Sequence, residues 1–573
     1  MSVKRVMGTE TEYAISSGVA GPYDPVRLSF AVVGAAADPS TAHIRWDYRR
    51  EDPINDARTG RIPRGQARPD MLTDEFIGGI RARSARESGQ ALASESASVF
   101  GSGSSDGLQP DIANVLAANG GRIYVDHAHP EYSAPETLDP FEAVRYDRAG
   151  DALMLEAARR AGRRHRQPIA LYRNNVDGKG SSWGAHENYL TLRSVPFDVI
   201  AALMTAHFVS RQIYTGSGRV GLGERSESAG YQLSQRADYI QAAIGLQTTF
   251  ERPIINTRDE PHASQRYRRL HVIVGDANRM DVPEALKLGT TSLLLWVLEQ
   301  ADSLGIDLPA ILTKVRLANP VAAMHTVSHD LSLSAALPLD SGDALSAWQL
   351  QSMLLSLVYE AGARAYDTDS RGEPIWPDTQ TVQIIAMWKQ ALADIARVRH
   401  SGDEQRLTMA PEASRLEWFL KWQLFERLRR RLSCAWSDPR IAALDLRLAS
   451  LDPTISPWEK LAARILRFDE PAQLHYALAY PPDDTRAWLR ATLLQRYADQ
   501  VLAVSWSRIT VADTDSPGLP DSHEGGAVSL DMDDPYEWTS TRCAEIFKNV
   551  EESGDGTGTQ TAASMLRNII HDR

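Results

Sequence analysis

The chain has 573 residues, too many for one ordinary domain, and 43% of them are hydrophobic, enough for a large core. A formal net charge of −12 argues against a nucleic-acid binder, whose balance is usually basic. No stretch reaches the ~18–20 uninterrupted apolar residues of a membrane span, and the opening MSVKRVMGTETEY has acidic residues where a signal peptide needs an apolar run. A cytoplasmic protein is therefore expected, with neither nucleic acid nor membrane as partner. The two cysteines, Cys434 and Cys543, lie far apart with no companion at metal-ligand spacing, which excludes a disulfide framework or a zinc knuckle.

In chain order, residues 5–15 predict a strand. Residues 45–70 are rich in charge, Pro and Gly and lack periodicity, so they predict a long mobile charged loop. Residues 84–110 are a Ser/Gly-rich insertion and predict poor order. "RIYVDHAHPEYSAPE", 122–136, reads as a strand entering a polar turn. Asp-Pro at 139–140 followed by an apolar stripe predicts a helix from about 140. "PIALYRNN", "ENYLTLRS", "QLSQRADYIQ" and "RRLHVIVGDA" alternate like strands, and "PFDVIAALMTAHFVSRQIY" has helical period. After residue 283 the pattern is almost wholly helical. Near the end, "YPPDDTRAWLRATLLQRYADQVLAVSWSRITV" reads as a helix followed by a strand. The reading is an α+β fold: a large unit over 1–470 built on a curved antiparallel sheet packed by helices, a small unit over 471–550, and a flexible tail over 551–573 that leads to a short terminal helix.

Side chains two apart on a strand share a face. That groups Glu10 with Glu12; Arg122 with Tyr124 and Asp126, with Glu131 just beyond; Arg269 with His271; and either His186 with Asn188 or Glu187 with Tyr189. If these strands belong to one sheet, several carboxylates, two histidines and arginines converge, and such carboxylates repel one another unless a cation neutralises them. Oxygen ligands with a few imidazoles suit Mg²⁺ or Mn²⁺ beside phosphates. The alternative is a set of unrelated solvated faces. Two glycine motifs mislead: "GSGRVG" at 216–221 follows a helix instead of a strand, and "DGKGSS" has Arg173 where a phosphate-binding loop needs its leading glycine.

"GTETEY", "RIYVDHAHPEYSAPE", "NNVDGKGSSWGAHENYL", "VSRQIYTGSGRVG", "QLSQRADYI", "IINTRDEPHA" and "RRLHVIVGDANR", in this order, closely resemble the Pup ligase and depupylase family, a branch of the glutamine synthetase-like carboxylate-amine ligases. The resemblance is strong from residue 1 to about 300 and looser over "PPDDTRAWLR" and "SWSRI". It implies a partner, the small acidic protein tag Pup, together with pupylated proteins, and the cofactors ATP and Mg²⁺. One activity in the family joins Pup to lysines with ATP; the other deamidates Pup's C-terminal glutamine and cleaves the tag from lysines. "DHAHPEYS", "GTETEYAIS", the charged segment at 45–70 and Ala134 in place of a Thr resemble the deamidating and cleaving branch. The Ser/Gly-rich insertion departs from the family's pattern.

Carried onto matching positions, the resemblance implies metal contacts from Glu10, Tyr124, Glu131, His186 and His271, nucleotide contacts from Arg122, Arg269, Trp506 and Glu12, and Asp126 as the catalytic residue. Arg236 would meet a carboxylate of Pup or, alternatively, pair with Asp238. Asp126 would attack the amide carbonyl or deprotonate a water that does, with ATP held as a bound cofactor instead of fuel. The competing expectations are a ligase on the same fold and a Pup-binding scaffold without activity.

Overall fold

The computed structural model describes residues 3–19, 21–63, 113–513, 526–544, 547 and 561–571. In chain order, the elements that build the site are β1 (Met7–Glu12), α1 (Pro25–Ala36), β2 (Arg45–Trp46), β3 (Asn114–Leu116), β4 (Arg122–Asp126), β5 (His129–Ser133), α2 (Pro140–His165), β6 (Ala185–Leu192), β7 (Tyr267–Val272) and α3 (Asp281–Gln300). They are followed by α4 (Ala487–Arg496), β8 (Val501–Val504), β9 (Arg508–Ala512), β10 (Ala527–Asp531) and α5 (Ala562–His571).

The main sheet has six strands in the order β7-β6-β1-β5-β4-β3, and every neighbouring pair is antiparallel. One face packs on helices. Asp139 caps α2 by accepting from the Phe141 and Glu142 amides at 2.9 and 3.0 Å, with Pro140 in the first turn, as the Asp-Pro signal predicts. The hydroxyls of Thr9 and Thr11 on β1 donate to Asp147 of α2 at 3.3 and 3.1 Å. Ile123 and Tyr132 enter an apolar cluster with α1 and α2, while Tyr189, Leu270 and Val272 enter a larger one centred on α3 and the helices over 347–365, 379–399 and 417–432. Glu187 points to this helix-covered side, where it is fully buried and pairs with Arg211 at 2.5 Å. The other face of the sheet carries the charged row.

A second sheet, β10-β9-β8-β2, lies in the C-terminal part and buries Leu489, Val504, Ile509, Leu530 and Leu566 together with Ile44. Its last strand comes from the other end of the chain: β2 pairs in parallel with β8, Arg45 with Ala503 and Trp46 with Val504.

Several expectations change here. Residues 45–61, read as an aperiodic loop, hold β2, a 3₁₀ turn at Tyr48–Arg50 and a two-stranded hairpin of 55–56 with 60–61; residues 64–70 and the 84–110 insertion lie outside the described residues. Charge and proline content hid a segment whose order comes from tertiary pairing. The predicted strand over 5–15 breaks at the buried Tyr13, and 14–17 turns to pair with 169–172 in a separate sheet. "QLSQRADYIQ" is the end of one strand, a 3₁₀ turn at 237–239 and the start of another. Of the tail, residues 562–571 form α5, which buries Met565, Leu566 and Ile569, and residues 551–560 lie outside the described residues.

Candidate active site

Strand alternation places the row on one face. Glu10 stands opposite His186 on β6 and Ser133 on β5, Glu12 opposite Glu131, Tyr124 opposite Glu131, and Asn188 opposite His271 on β7. Two donor clusters result, each with ligand atoms within 4.8 Å of one another: Glu10, His186 and His271, and next to it Glu12, Asp126 and Glu131.

The first cluster is oriented by Asn188. Its amide donates to Glu10 Oε1 at 3.0 Å, while its carbonyl oxygen accepts from Arg269 Nη1 at 2.8 Å and lies 2.9 Å from His271 Nδ1. Since that oxygen only accepts, Nδ1 of His271 carries the proton and Nε2 keeps its lone pair for a metal. His186 Nδ1 sits 3.2 Å from Glu10 Oε2. Burial opposes ionisation of Glu10, but the His186 hydrogen bond and the charge of Arg269 hold its carboxyl far below the usual range. Burial, with help from Arg269, keeps His271 neutral. Ionised carboxylate and neutral imidazole are the protonation states a divalent cation requires.

The second cluster is a like-charge site. Burial raises the Glu131 carboxyl well above its ordinary value, and the charges of Asp126, Glu12 and Glu10 raise it further. Glu12 is held at about 2: burial works against it, and the hydrogen bond and charge from His129, 3.4 Å away, outweigh that. Space here is tight, because a Cβ on Gly184 would lie 2.3 Å from His186 Nε2 and 2.7 Å from Glu12 Oε1. Asp126 ends β4, with His127 Nδ1 2.8 Å from its Oδ2.

Arg122 lies with its guanidinium over both the Trp46 and the Tyr124 rings, 4.1 Å from each centroid, and Nε donates to Asn114 at 2.8 Å. Burial and then Glu131 push the Tyr124 hydroxyl well up, so it stays a neutral phenol beside the carboxylates. Trp46 meets Trp506 edge-on at 5.2 Å. Between the sheet face and the C-terminal part lies a cavity of about 80 Å³, lined by Glu10, Ser133, Glu136, Arg269, Arg486 and Trp506 among others.

Arg236 is fully buried, and its Nε and Nη1 have no hydrogen-bond partner among the described residues. The alternative of a pair with Asp238 is overturned, because that carboxylate is taken by His329 at 2.7 Å, Gln232 at 2.7 Å, the Gly223 amide at 2.7 Å and Arg219 at 3.5 Å. Burial first, and Arg252 second, lower the Arg236 guanidinium to about 9, against the attraction of Glu12.

The structure thus gathers the metal candidates Glu10, His186, His271 and Glu131 with Asp126, and sets Tyr124 and Arg122 beside them. Arg269 and Trp506 line the cavity with Glu10, whereas Glu12, read as a nucleotide contact, sits among the carboxylates. Sequence reasoning missed Trp46, Asn188, Glu136 and Arg486 as contributors. Asn188 shares alternation with His186, and Arg486 lies in "DDTRAWLR", but only the fold brings Trp46 and Glu136 to this face.

The family model described as Pup-ligase protein matches residues 5–510. The chain belongs to the Pup ligase family. Among similar members, a Pup deamidase/depupylase of Mycobacterium tuberculosis is 38% identical over 515 residues, covering 88% of this chain and 91% of that one. A depupylase of Acidothermus cellulolyticus is 38% identical over 513 residues, with 88% and 90% covered. A Pup–protein ligase of Jonesia denitrificans is 34% identical over 412 residues, covering 70% of this chain and 84% of the ligase. This family member also shares its fold with solved structures. The Pup ligase PafA in complex with ADP superposes with a TM-score of 0.62 at 26% identity, over 84% of this chain and 95% of that one. PafA in complex with Pup superposes at 0.69 and 24% identity, over 99% and 97%.

Proposed function

We propose that the protein is a Pup deamidase/depupylase: it hydrolyses the side-chain amide of Pup's C-terminal glutamine and the isopeptide bond between Pup and a lysine. The observation that carries the reading is the 38% identity over 515 residues, 88% of this chain, to a relative named for this activity, against 34–36% over 412–417 residues, 70% of this chain, to the ligases of Jonesia and Micrococcus. The intact cluster of Glu12, Asp126 and Glu131 supports hydrolysis over a scaffold without chemistry.

The donor set fits Mg²⁺: three carboxylates gathered with one forced toward its protonated form are relieved by a hard cation, and Glu10, His186 and His271 offer a second set of ligands, with Glu10 ionised and His271 neutral. The lining of the cavity suits a nucleotide chemically, with Arg269 and Arg486 for phosphate or ribose oxygens and Trp506 for the base. When bound, magnesium supplies positive charge that polarises oxygens of the nucleotide or the scissile carbonyl.

The chain's own residues do the rest. Asp126 either takes a proton from a water that adds to the amide carbonyl and passes it to the leaving nitrogen, or adds to the carbonyl itself to give an anhydride that water then opens, freeing the aspartate. In both routes the carbon–nitrogen bond breaks, water supplies the proton, and ammonia or the lysine amine departs. Arg236 is the candidate partner for a carboxylate of Pup, which would have to reach a side chain that is buried in this structure. One proton-transfer group contributes about 10²–10⁴-fold and one oxyanion donor about 10²–10³-fold, so the groups must act together to reach an enzymatic rate. The test is mass spectrometry of Pup ending in glutamine, incubated with enzyme, ATP and Mg²⁺. Conversion to glutamate adds about 1 Da by amide chemistry, and Asp126→Asn abolishes it while Pup still binds. Turnover by Asp126→Asn, or joining of glutamate-ended Pup to lysine in place of hydrolysis, overturns the reading.

A further inference from the structure

β4 and β5 are joined by only His127 and Ala128, with Asp126 and His129 as the closing pair. A two-residue hairpin turn with positive φ at its first central position favours glycine or asparagine. Here that position is His127, at φ 51°. A side chain with a Cβ in this region costs backbone energy, which persists where the surroundings hold it for a purpose. The surroundings are specific: His127 Nδ1 lies 2.8 Å from Asp126 Oδ2, and Nε2 lies 3.3 Å from the Thr249 hydroxyl. A carboxylate only accepts, so Nδ1 carries a hydrogen, and Nε2 shares a hydrogen bond with the Thr249 hydroxyl, which can both donate and accept.

We infer that His127 is a positioning residue for Asp126: the chain Thr249–His127–Asp126 fixes the carboxylate's rotamer through Oδ2 and leaves Oδ1 to face the carbonyl or the attacking water. The strand end alone does not fix it, because the Asp126 side chain is about one-fifth exposed. A carboxylate free to rotate spends little time in the reactive pose, and a misplacement of about 1 Å can cost 10²-fold in rate. The role rests on Asp126 being the group that performs hydrolysis, as proposed above.

The test separates the hydrogen bond from the turn. His127→Gly keeps the backbone at ease and removes the imidazole. His127→Asn also tolerates positive φ, and its amide nitrogen, attached to Cγ as Nδ1 is, can donate to Oδ2. Steady-state deamidation of glutamine-ended Pup with ATP and Mg²⁺ is expected to show kcat lowered about 10–100-fold in His127→Gly, with KM for Pup unchanged, and most of the loss restored in His127→Asn. A glycine variant with the parent's kcat, an asparagine variant no better than glycine, or a change confined to KM overturns the inference. Asp126→Asn, run alongside, reports on the underlying reading separately: turnover there removes Asp126 itself, whereas its loss with a fully active glycine variant removes only His127.

Discussion

Arg236 is enclosed on all sides, yet two of its guanidinium nitrogens are left without acceptors. A buried, incompletely bonded cation is costly for folding. Replacing it by an apolar side chain of similar length should leave the melting temperature unchanged or raise it, while removing charged hydrogen bonds worth about 1.5–3 kcal/mol to a bound carboxylate. Arg236→Met is therefore expected to raise KM for Pup about 10–100-fold with little change in thermal unfolding. A fall in stability with unchanged KM would return Arg236 to a structural role. At this scale the sequence was informative wherever alternation decided the matter. Glu10 and Glu12, Arg122 with Tyr124 and Asp126, and Arg269 with His271 share faces because strand geometry leaves no choice. The partner of Arg236 was not legible, since Asp238, two residues on, is claimed by His329 from a distant helix end.

The link between α4 and the β4–β5 hairpin is electrostatic. Glu136, just past β5, accepts from Arg486 Nε at 2.8 Å and Arg490 Nη2 at 2.5 Å; Arg490 also donates to the carbonyls of Gly120, at 3.0 Å, and of Trp506, at 3.1 Å. Both flanks of the hairpin carrying Asp126 and Glu131 are thereby tied to the wall of the cavity. Burial disfavours the Glu136 carboxylate, but the charges of Arg490 and Arg486 bring it to about 2 from an unfolded value of 4.5. Because the folded pKa is the lower one, this tie stabilises fully above pH 4.5 and is lost as pH falls toward 2. Glu136→Gln leaves two buried guanidiniums without their anion and should cost about 3–5 kcal/mol at neutral pH. The gap from the parent protein should narrow between pH 4.5 and 2, followed by thermal unfolding at a series of pH values. Element types were readable where period and capping agreed, as at Asp139-Pro140. They were not readable at the strand of residues 45–46, which is ordered by its distant partner β8, nor was the short hairpin after it, although Asp56 accepts from the Arg58 and Thr59 amides and Gly60 takes positive φ.

Across the whole molecule, distant parts of the chain converge on one cavity: β1 from the N-terminus, β5 and β7 from the middle, and the loop bearing Trp506 from the C-terminal sheet. The charged face could be assembled from alternation, but the enclosure could not, because pairing of Trp46 with Trp506 depends on a parallel contact between the two ends of the sequence. Trp46→Ala removes one of the two rings that meet the Arg122 guanidinium and the edge contact to Trp506. Contacts of this kind are worth about 0.5–2 kcal/mol each. The variant should bind ADP roughly tenfold more weakly by calorimetry, and unchanged affinity would separate Trp46 from the nucleotide site.

The same contact sets a timetable for synthesis. Trp46 leaves the ribosome early, but Val504, the residue it lies against, is made near the end. At ~5–20 residues per second, the wait is on the order of half a minute or longer. Throughout that interval the early strand has no mate, and the aromatic side of Arg122's binding slot stays open to water. A nascent chain released before residue 504 would keep a folded carboxylate face and yet be unable to close around a nucleotide, and a C-terminal fragment made alone would present a bare β8 edge to its neighbours.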